Sequence, residues 1–420
     1  FRVNSIKVGD IFKVVTLGCR TNQYESQAYQ DQLLALGYSE AKEAEQIDLC
    51  IINTCAVTES ADSSSRFQIR HLHRKYPDAK IVVTGCLVES AKEALQSMGE
   101  IDCIVPNKDK ENLLSYILPE QEMPEFKICQ FEARTRAFVK VQDGCNSFCT
   151  YCIIPYVRGR SRSRDLMEIL QEVKGLVSNG YKEIVLTGIN IGDFESTEKI
   201  RLADLVRQVD GIEGIQRLRI SSIDPDEIDE DLADAVLSSK HICPSMHVVL
   251  QSGSNTILKR MNRKYTREIF LETVDRLRNA NSDFTFTTDV IVGFPGESEL
   301  DFQETLAVMD YVRFSKVHMF PYSPRPRTRA ALYPNRIDPE VLNIRKQQVV
   351  RLAEEHAYFL REKYVGRTLP VLIEKVEDVS SGHTENFLRV LSQNKALKSN
   401  DLVEMQLYEN TPEGLLGRIV

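Results

Sequence analysis

Hydrophobic and polar positions in the first 120 or so residues alternate between two periods. The short β-branched runs "FKVVTLGC", "DLCIINTC" and "KIVVTGC" are typical of strands, and "NQYESQAYQDQLLALG" and "ESADSSSRFQIRHLHRKYP" between them have helical spacing. Strand–helix–strand order predicts a parallel sheet with helices on its faces. The acidic, two-proline run "LPEQEMPEF" predicts a linker, so we expect a first α/β domain over residues 1–125.

The alternation resumes near Phe131. Six candidate strands follow, interrupted by helical patterns such as "RDLMEILQEVKGLVSNG": "AFVKVQDG", "EIVLTG", "QRLRISS", "MHVVLQSG", "TFTTDVIVG" and "KVHMFPYS". Six strand–helix units are fewer than the eight of a closed barrel. We therefore expect an open, partial (β/α)6 barrel over residues 131–366, with its site at the carboxyl ends of the strands.

The pattern changes again after "EEHAYFLREKYVGRTL". The runs "LPVLIEKVE", "FLRVLSQ", "DLVEMQLYE" and "GLLGRIV" predict a small antiparallel β-barrel over residues 367–420.

Composition narrows the class of protein. The chain has 420 residues, 42% hydrophobic and 27% charged, as in ordinary globular proteins, and no apolar run is long enough to span a membrane. We expect a cytoplasmic location. Ten cysteines are too few for a disulfide scaffold and are more typical of metal or redox ligands. The net charge of -8 argues against nucleic acid as a partner of the chain as a whole, although local basic patches can override it.

Three cysteines lie together in "DGCNSFCTYCIIP", with the spacing C-x3-C-x2-C: Cys145, Cys149 and Cys152. Thiolates favour zinc and iron–sulfur clusters, and a structural zinc site usually has four protein ligands in two separated pairs. Three ligands in one loop fit a [4Fe–4S] cluster that leaves one iron open to a substrate.

Three further cysteines each end a predicted strand: Cys19, Cys55 and Cys86. Because ligands of open parallel sheets bind outside the carboxyl ends of the strands, neighbouring strands would bring these thiols together. A second three-cysteine cluster is one interpretation, and buried small residues are the other. Cys50, Cys103, Cys129 and Cys243 lack such a setting, and we interpret them as packed or incidental thiols.

The cysteine loop at the start of a partial barrel resembles the radical S-adenosylmethionine (SAM) enzymes. The words "TLGCRTNQYES", "NTCAVTESAD", "RAFVKVQDGCNSFCTYCIIPYVRGRSRSR", "EIVLTGINIG", "LQSGSNTILKRMNRKYT" and "DVIVGFPGE" resemble the methylthiotransferases within that class. That family joins a three-cysteine amino-terminal domain, a radical barrel and a small carboxy-terminal barrel called TRAM. The resemblance covers nearly the whole chain. "NQYES" and "NTCAVT" favour the branch that acts on N6-threonylcarbamoyladenosine at position 37 of tRNA.

The resemblance implies two [4Fe–4S] clusters and SAM as cofactors. Cys145, Cys149 and Cys152 would hold the cluster at which SAM is cleaved to a radical that activates C2 of adenine. Cys19, Cys55 and Cys86 would hold the cluster from which a methylthio group is transferred. Strand-end residues are the expected SAM contacts, together with Tyr151 in the cysteine loop: Thr187, Gly188, Ser222, Gln251 and Asp289, with Ser221 as a further candidate. The alternative for the strand-end candidates is a helix-capping or turn residue.

Three basic runs could hold RNA in this acidic chain, although charge runs are usually only solvated faces. The first has Arg66, Arg70 and Arg74 at helical spacing, with Lys75 beside them. The second is Arg158, Arg160, Arg162 and Arg164, and the third is Lys259, Arg260, Arg263, Lys264 and Arg267. The target adenine would leave its loop and enter the barrel against Tyr151, Tyr156 or Phe320.

Two departures from the family pattern stand out. Arg327 replaces the usual glycine in "PYSPRPRTRA", which strains the turn if that position needs a positive φ and otherwise adds a charge that faces RNA. The segment 367–420 has six Lys/Arg against eight Asp/Glu, so its grip on RNA would depend on local placement.

Other functions stay open at this point. The same chemistry could act on isopentenyladenosine-37 of tRNA or on a ribosomal-protein side chain. A non-catalytic iron–sulfur RNA-binding sensor and a zinc-binding module are alternatives of other classes. The expected partners are the tRNA anticodon loop, a flavodoxin-like or ferredoxin-like electron donor and an unidentified sulfur source. We expect a monomer without membrane attachment.

Overall fold

A computed structural model describes residues 6–42, 46–129 and 135–420. The chain forms two compact units that do not follow the order of the sequence. The first joins the amino-terminal part, up to Gln130, to Asp143–Arg162 and Ser323–Ala331. The second joins Phe131–Gln142 to Ser163–Tyr322 and Leu332–Val420.

The first unit is built on a five-stranded parallel sheet in the order β2-β1-β3-β4-β5. Its strands are β1 (Ile11–Thr16), β2 (Ser39–Glu40), β3 (Leu49–Thr54), β4 (Lys80–Gly85) and β5 (Cys103–Ile104). β3 is buried along its whole length, as its unbroken apolar run requires of a central strand. A core around Phe12, Tyr29 and Leu49 packs beneath it.

Helices cover this sheet. They are α1 (Arg20–Ala35), α2 (Glu59–Lys75), α3 (Cys86–Ser90), α4 (Lys92–Gln96), α5 (Leu113–Ile117) and α6 (Ile154–Val157), with a 3-10 turn at Asn107–Asn112. The Thr58 side chain caps α2 by accepting a hydrogen bond from the backbone N–H of Ala61. Because Ser65, Ile69 and Leu72 form its buried face, the basic side chains of α2 lie on the opposite side.

The second unit contains six parallel strands in two hydrogen-bonded groups of three, which single bridges connect. The strands are β6 (Arg136–Lys140), β9 (Glu183–Thr187), β10 (Arg217–Ile220), β11 (Ser245–His247), β12 (Thr285–Val292) and β13 (Lys316–Pro321). Two short strands, β7 (Gln142–Asp143) and β8 (Arg162–Ser163), pair separately. The order β6-β9-β10-β11-β12-β13 is that of an open, partial barrel, as the sequence predicted.

Helices alternate with these strands. They are α7 (Leu166–Ser178), α8 (Leu202–Asp210), α9 (Glu230–Ser238), α10 (Asn255–Arg260), α11 (Arg267–Ala280), α12 (Glu299–Val312) and α13 (Pro339–Glu362), with 3-10 turns at Ile191–Asp193, Pro225–Glu227 and Arg329–Leu332. Each strand end thus leads into a loop or turn before a helix, the arrangement that places polar loop residues at the carboxyl ends.

A closed five-stranded barrel ends the chain. Its strands are β14 (Thr368–Lys375), β15 (Ser380–Thr384), β16 (Arg389–Ser392), β17 (Leu402–Thr411) and β18 (Gly414–Ile419). Four of its pairs are antiparallel, but β16 and β18 run parallel, which the expectation of a purely antiparallel barrel missed. Val371, Val390 and Leu415 are among the residues that fill its core.

The expected fold class is confirmed in all three parts. The predicted domain limits 1–125, 131–366 and 367–420 stay a prediction, and the limit at residue 131 lies outside the described residues. The compact units nevertheless assign the cysteine loop to the amino-terminal sheet. Among the described residues, every helix is too short or too polar to span a bilayer.

Candidate active site

Cys19, Cys55 and Cys86 lie at the carboxyl ends of three adjacent strands. Cys19 precedes α1, Cys55 follows β3, and Cys86 begins α3 directly after β4. β3 pairs in register with β1 on one side and β4 on the other, so all three strands end at the same edge. The sheet therefore brings together three thiols that are widely separated in sequence.

Two glycines allow this close approach. Gly18 has a φ of 93°, and a Cβ there would lie 2.8 Å from the Cys55 Sγ. Gly85 has a φ of 97°, and its Cβ would lie 2.4 Å from the Thr54 carbonyl oxygen. A side chain at either position would push the strand ends apart, because these distances are shorter than van der Waals contact.

The three thiols lie close enough to influence one another. The pKa of the Cys86 thiol is raised to about 11, chiefly by burial, which Arg158 opposes and the Cys55 and Cys19 thiols reinforce. Burial likewise raises the pKa of Cys55, with Cys19 contributing. Three convergent soft ligands beside a buried cation fit an anionic iron–sulfur cluster.

Arg158 lies in a buried charge network. Its Nη1 is 2.9 Å from Asp143 Oδ1 and 3.3 Å from Glu25 Oε1, and its Nη2 donates to Asn22 Oδ1. Lys110 completes the network, with its Nζ 2.6 Å from Glu25 and 2.7 Å from Asp143. Although burial opposes its charge, the Glu25 and Asp143 carboxylates raise the pKa of Arg158 well above its ordinary value.

Two of the expected RNA contacts have buried side chains. The Arg158 side chain is 0% exposed and is held by carboxylates, so it cannot reach a phosphate. Arg263 is 6% exposed, pairs with Asp224 and lies over the ring of Tyr265. In both cases acidic side chains that are distant in sequence but close in space hold in the interior a cation that the sequence places in a basic run.

The loop of Cys145, Cys149 and Cys152 is shaped by its own backbone. The N–H of Cys145 donates to the Gly159 carbonyl at 3.1 Å, and that of Cys152 to the Cys149 carbonyl at 3.0 Å. The N–H of Ser147 points at Cys145 Sγ from 3.4 Å, a contact that favours a thiolate. Cys149 is buried, and the other two thiols are half-buried.

No three His, Cys, Asp or Glu side chains within residues 6–42, 46–129 and 135–420 are arranged to hold a single metal ion. The zinc-module alternative therefore has no preformed ligand set in that part of the chain. Cubane clusters hold their thiolates farther apart than a single ion does, so this finding does not bear on an iron–sulfur cluster.

Thr187 and Gly188 lie where β9 ends. Thr187 is buried, and its carbonyl accepts a hydrogen bond from the N–H of Val141. Gln142 Oε1 accepts from the N–H groups of Ile189 and Asn190, both at 2.9 Å. A Cβ on Gly188 would lie 2.8 Å from this same oxygen, so a larger residue there would displace the Gln142 amide that holds the turn after β9.

The other expected SAM contacts lie at or beyond further strands of the same unit. Ser222 follows β10 and is half-buried, and beside it the buried Ser221 hydroxyl has no partner in the described structure. Gln251 has a φ of 60°, and its buried Oε1 also has no partner among the described residues. Asp289 lies on β12, with its Oδ1 3.4 Å from His247 Nε2. In the described part of the chain, unpartnered polar groups thus lie beyond β10 and β11, whereas Asp289 lies within β12 rather than at its end.

The aromatic candidates differ in setting. Tyr151 is half-buried in the cysteine loop. Tyr156 is 37% exposed in the first unit, and Phe320 on β13 is 39% exposed in the second. Exposed aromatic faces of this kind can stack on an unpaired base.

Basic side chains that remain exposed define the possible RNA surface. On α2, Arg70 and Arg74 are exposed, whereas Arg66 pairs with Asp62 at 2.6 Å. Arg160 is exposed, with its guanidinium 4.4 Å from the centre of the Phe148 ring. Lys259 is exposed at the end of α10.

Sequence reasoning missed the acidic residues near these sites. Glu25 and Asp143 were not singled out, although Asp143 comes two residues before Cys145. Glu227 was also missed: burial and nearby Asp224 raise its pKa to about 8, and Asn190 Nδ2 donates to it at 2.9 Å. The only sequence signal was nearness to a cysteine, since Asp143 lies two residues before Cys145 and Glu25 lies six residues after Cys19.

Three of the four remaining cysteines are buried, as expected of packed thiols. Cys50, Cys103 and Cys243 are buried, and burial raises the pKa of Cys50 and of Cys243 to about 12. Cys129 is exposed.

Two family models match the chain. The radical SAM superfamily matches residues 139–309, and the family described as uncharacterized protein family UPF0004 matches residues 11–106. Among solved structures, the radical SAM methyltransferase TsrM from Kitasatospora setae is 14% identical and covers 77% of each chain with a TM-score of 0.57, a likeness of fold alone.

Curated relatives are similar over nearly the whole chain. The threonylcarbamoyladenosine tRNA methylthiotransferase MtaB of Chlamydia pneumoniae is 52% identical over 99% of both chains. MtaB of Bacillus subtilis is 38% identical over 90% of this chain and 89% of its own. The tRNA-2-methylthio-N(6)-dimethylallyladenosine synthase of Finegoldia magna is 31% identical over all of this chain and 96% of its own.

The family model over residues 139–309 identifies a radical SAM enzyme, and these relatives define the family more narrowly: the chain belongs to the radical SAM methylthiotransferases. Enzymes of this family use SAM and [4Fe–4S] clusters. The expected family, enzyme class and cofactor types are therefore confirmed.

Proposed function

We propose that this chain adds a methylthio group to C2 of N6-threonylcarbamoyladenosine at position 37 of tRNA. The convergence of three strand-end thiols, in a chain that also carries a C-x3-C-x2-C loop, is the observation that carries the reaction type. The branch follows from the relative that is 52% identical and bears that activity in its name. The dimethylallyladenosine synthases are less similar, at 31% to 35%.

Two [4Fe–4S] clusters are part of the proposal. Cys145, Cys149 and Cys152 would hold the one that binds SAM, and Cys19, Cys55 and Cys86 would hold the auxiliary one. When bound, SAM and the clusters supply the radical, the sulfur and the methyl group of the reaction. The protein contributes position and exclusion of water rather than acid–base chemistry.

The strand ends of the second unit would bind SAM. The rigid turn after Thr187 and the unpartnered oxygens of Ser221 and Gln251 supply hydrogen-bonding groups there. Gly188, Ser222 and Asp289, with Tyr151 from the cysteine loop, complete the proposed contacts.

RNA would be held by exposed cations and stacked on exposed rings. Of the candidate cations, Arg70, Arg74, Arg160 and Lys259 are exposed, Arg66 is half-buried beside Asp62, and the Arg158 and Arg263 side chains are buried. Tyr156 and Phe320 offer faces for the splayed base. With tRNA as its substrate, the enzyme would act in the cytoplasm, as a monomer. A flavodoxin-like or ferredoxin-like protein would donate electrons, and the sulfur donor is a further partner.

Anaerobic turnover tests the proposal. Reconstituted enzyme with SAM and a reductant receives tRNA that carries threonylcarbamoyladenosine, tRNA that carries isopentenyladenosine, or ribosomal-protein peptide, followed by mass spectrometry. Methylthiolation of the first substrate alone supports the proposal. Product from either of the others instead, or no 5′-deoxyadenosine at all, contradicts it and favours another branch or a sensor.

Iron analysis tests the two clusters separately. We expect about eight irons per chain, and about four after alanine replaces either cysteine trio. Cys129→Ala is the matched control, because that thiol is exposed and outside both trios, and it should keep all the iron. About four irons in the native chain, unchanged without Cys19, Cys55 and Cys86, would contradict a second cluster.

A further inference from the structure

The buried network around Arg158 joins the two cysteine sets within the first unit. Arg158 follows Cys152 by six residues and so belongs in sequence to the loop of Cys145, Cys149 and Cys152, which we call the radical loop. Its Nη2 nevertheless lies 4.0 Å from Cys19 Sγ, and its guanidinium contacts Asn22 and Glu25 of α1, the helix that begins after Cys19.

We propose that Arg158 is a positioning residue of the auxiliary site formed by Cys19, Cys55 and Cys86. Its buried positive charge holds Cys19 in place and stabilises the reduced state of the cluster. The inference rests on the proposed function, since it presumes that Cys19, Cys55 and Cys86 hold a cluster. It adds to that function a residue from the other cysteine loop.

The local charge balance supports this role. Glu25 and Asp143 each form ion pairs with both Lys110 and Arg158. These two cations balance the negative charges of the two carboxylates, so the thiols are not needed for that balance. Arg162, which is 47% exposed, adds a third cation on Asp143. With Arg162 included, three cations face two carboxylates, and Arg158 is the cation of this network that also lies beside a thiol.

Burial makes this charge effective. A cluster held by three thiolates is anionic and becomes more so on reduction, and a fixed cation in a poorly solvated site opposes that cost much more than an exposed cation does. Arg158 is fully buried, whereas Arg160, two residues further along, is exposed over the Phe148 ring. The two arginines are a natural pair for comparison.

Two contacts hold the segment that carries Arg158 against the first unit's sheet. Asn107 Nδ2 donates to the Val157 carbonyl at 2.6 Å, and α6 packs on α3, the helix that begins with Cys86. This segment is thus fixed at the sheet edge where Cys19, Cys55 and Cys86 lie. The auxiliary site is complete only when the radical loop is folded against the sheet.

Redox titration of the auxiliary cluster alone tests the role. With Cys145, Cys149 and Cys152 changed to alanine, only the auxiliary cluster remains, and its midpoint potential is read by electron paramagnetic resonance. Arg158→Gln should lower the midpoint potential by ~59 mV. For one electron, this shift is about a tenfold change in the ratio of oxidised to reduced cluster at a fixed applied potential. Arg158→Lys should recover most of the shift, and Arg160→Gln should cause little.

The outcomes are distinct. Equal potentials for the native residue, Gln and Lys at position 158 overturn the proposal, even if Arg158→Gln is less stable. Loss of all iron in the triple-alanine background overturns both this role and the proposed second cluster. If Arg158→Gln does not fold, Asp143→Asn with and without Arg158→Gln replaces it, because neutralising both members of a buried pair is better tolerated than breaking it. The double variant should then have the lower potential of the two, and equal values overturn the proposal.

Discussion

Arg327 has a φ of 72°, and its guanidinium lies 5.2 Å from the centre of the Tyr156 ring. The turn therefore does need a left-handed residue, and an arginine stands where the family usually has glycine. The strain of a left-handed arginine and its attraction to the ring oppose each other, at about 1 kcal/mol each.

Two substitutions separate these effects. Arg327→Ala removes the ring contact but keeps the strain, so it should destabilise the chain by about 0.5–1 kcal/mol. Arg327→Gly also relieves the strain and should be about 1 kcal/mol more stable than Arg327→Ala in urea denaturation. Equal stability of the two variants would show that the turn carries no left-handed strain.

Gly144 should be indispensable to the cysteine loop. Its φ is 74°, and a Cβ would lie 2.1 Å from the Arg160 carbonyl oxygen, a backbone atom that cannot move away alone. Gly144→Ala should therefore lose the radical-site cluster, measured as a loss of about four irons per chain. Gly159→Ala is the matched control: its φ is 81°, but nothing lies within 4 Å of the added Cβ, so it should retain iron at a cost of about 1 kcal/mol. Iron loss of the same size in both variants would refute the steric argument.

Glu227 should make stability fall as pH rises. Burial raises its pKa to about 8, so between the ordinary carboxyl value and pH 8 the unfolded chain is ionised there while the folded chain keeps its proton. Glu227→Gln retains the acceptor for Asn190 and has no proton to lose. It should match the native chain near pH ~5 and be about 2 kcal/mol more stable near pH ~8 in thermal unfolding. The exposed Glu198→Gln should show no such divergence, and parallel curves for Glu227→Gln would argue against a buried neutral acid.

The opposite sign is expected at Glu374. Although burial opposes its charge, His383, 2.7 Å away, and Arg136 lower the pKa of Glu374 to about 2. Its stabilisation is present above the ordinary carboxyl pKa and is lost as pH falls through about 2.

Glu374→Gln should therefore weaken the attachment of the carboxy-terminal barrel near neutral pH by about 2 kcal/mol. Hydrogen exchange of β14 and β15 measures this directly, since local opening exposes their amides. The exposed Glu377→Gln should leave their protection unchanged. A difference from the native chain that persisted undiminished at pH ~2 would rule out an ionic origin.

The sequence was most informative where one local pattern decided the structure. β-branched runs identified β1, β3 and β4, and the rule that parallel strands share a carboxyl edge placed Cys19, Cys55 and Cys86 together. By contrast, β15 was missed because "SSGHT" has weak strand propensity. Its Gly382 is required by close approach, as a Cβ would lie 2.1 Å from the Leu372 carbonyl oxygen.

Ion pairs between residues that are far apart in the chain could not be predicted from the sequence. The basic run that contains Arg158 predicts an exposed side chain, either on a solvated face or against RNA. Glu25, which helps to bury it, is 133 residues away in sequence, and no local pattern relates the two. The same holds for Arg263 and Asp224, whose pairing depends on how two loops of the barrel meet.

Removal of charge from α2 should weaken RNA binding in a salt-dependent way. Arg70 and Arg74 are exposed on the face opposite Ser65, Ile69 and Leu72, and no acidic residue interrupts that part of the helix. For every phosphate that α2 no longer neutralises, the slope of log affinity against log salt should become smaller by about 0.7–0.9. The double variant Arg70→Gln, Arg74→Gln should therefore bind tRNA with a slope smaller by about 1.5, measured by fluorescence anisotropy at several salt concentrations. Lys92→Gln removes an exposed charge from α4 of the same unit and should leave the slope unaltered. An unchanged slope in the double variant would mean that α2 is only a solvated face and that the tRNA is held elsewhere.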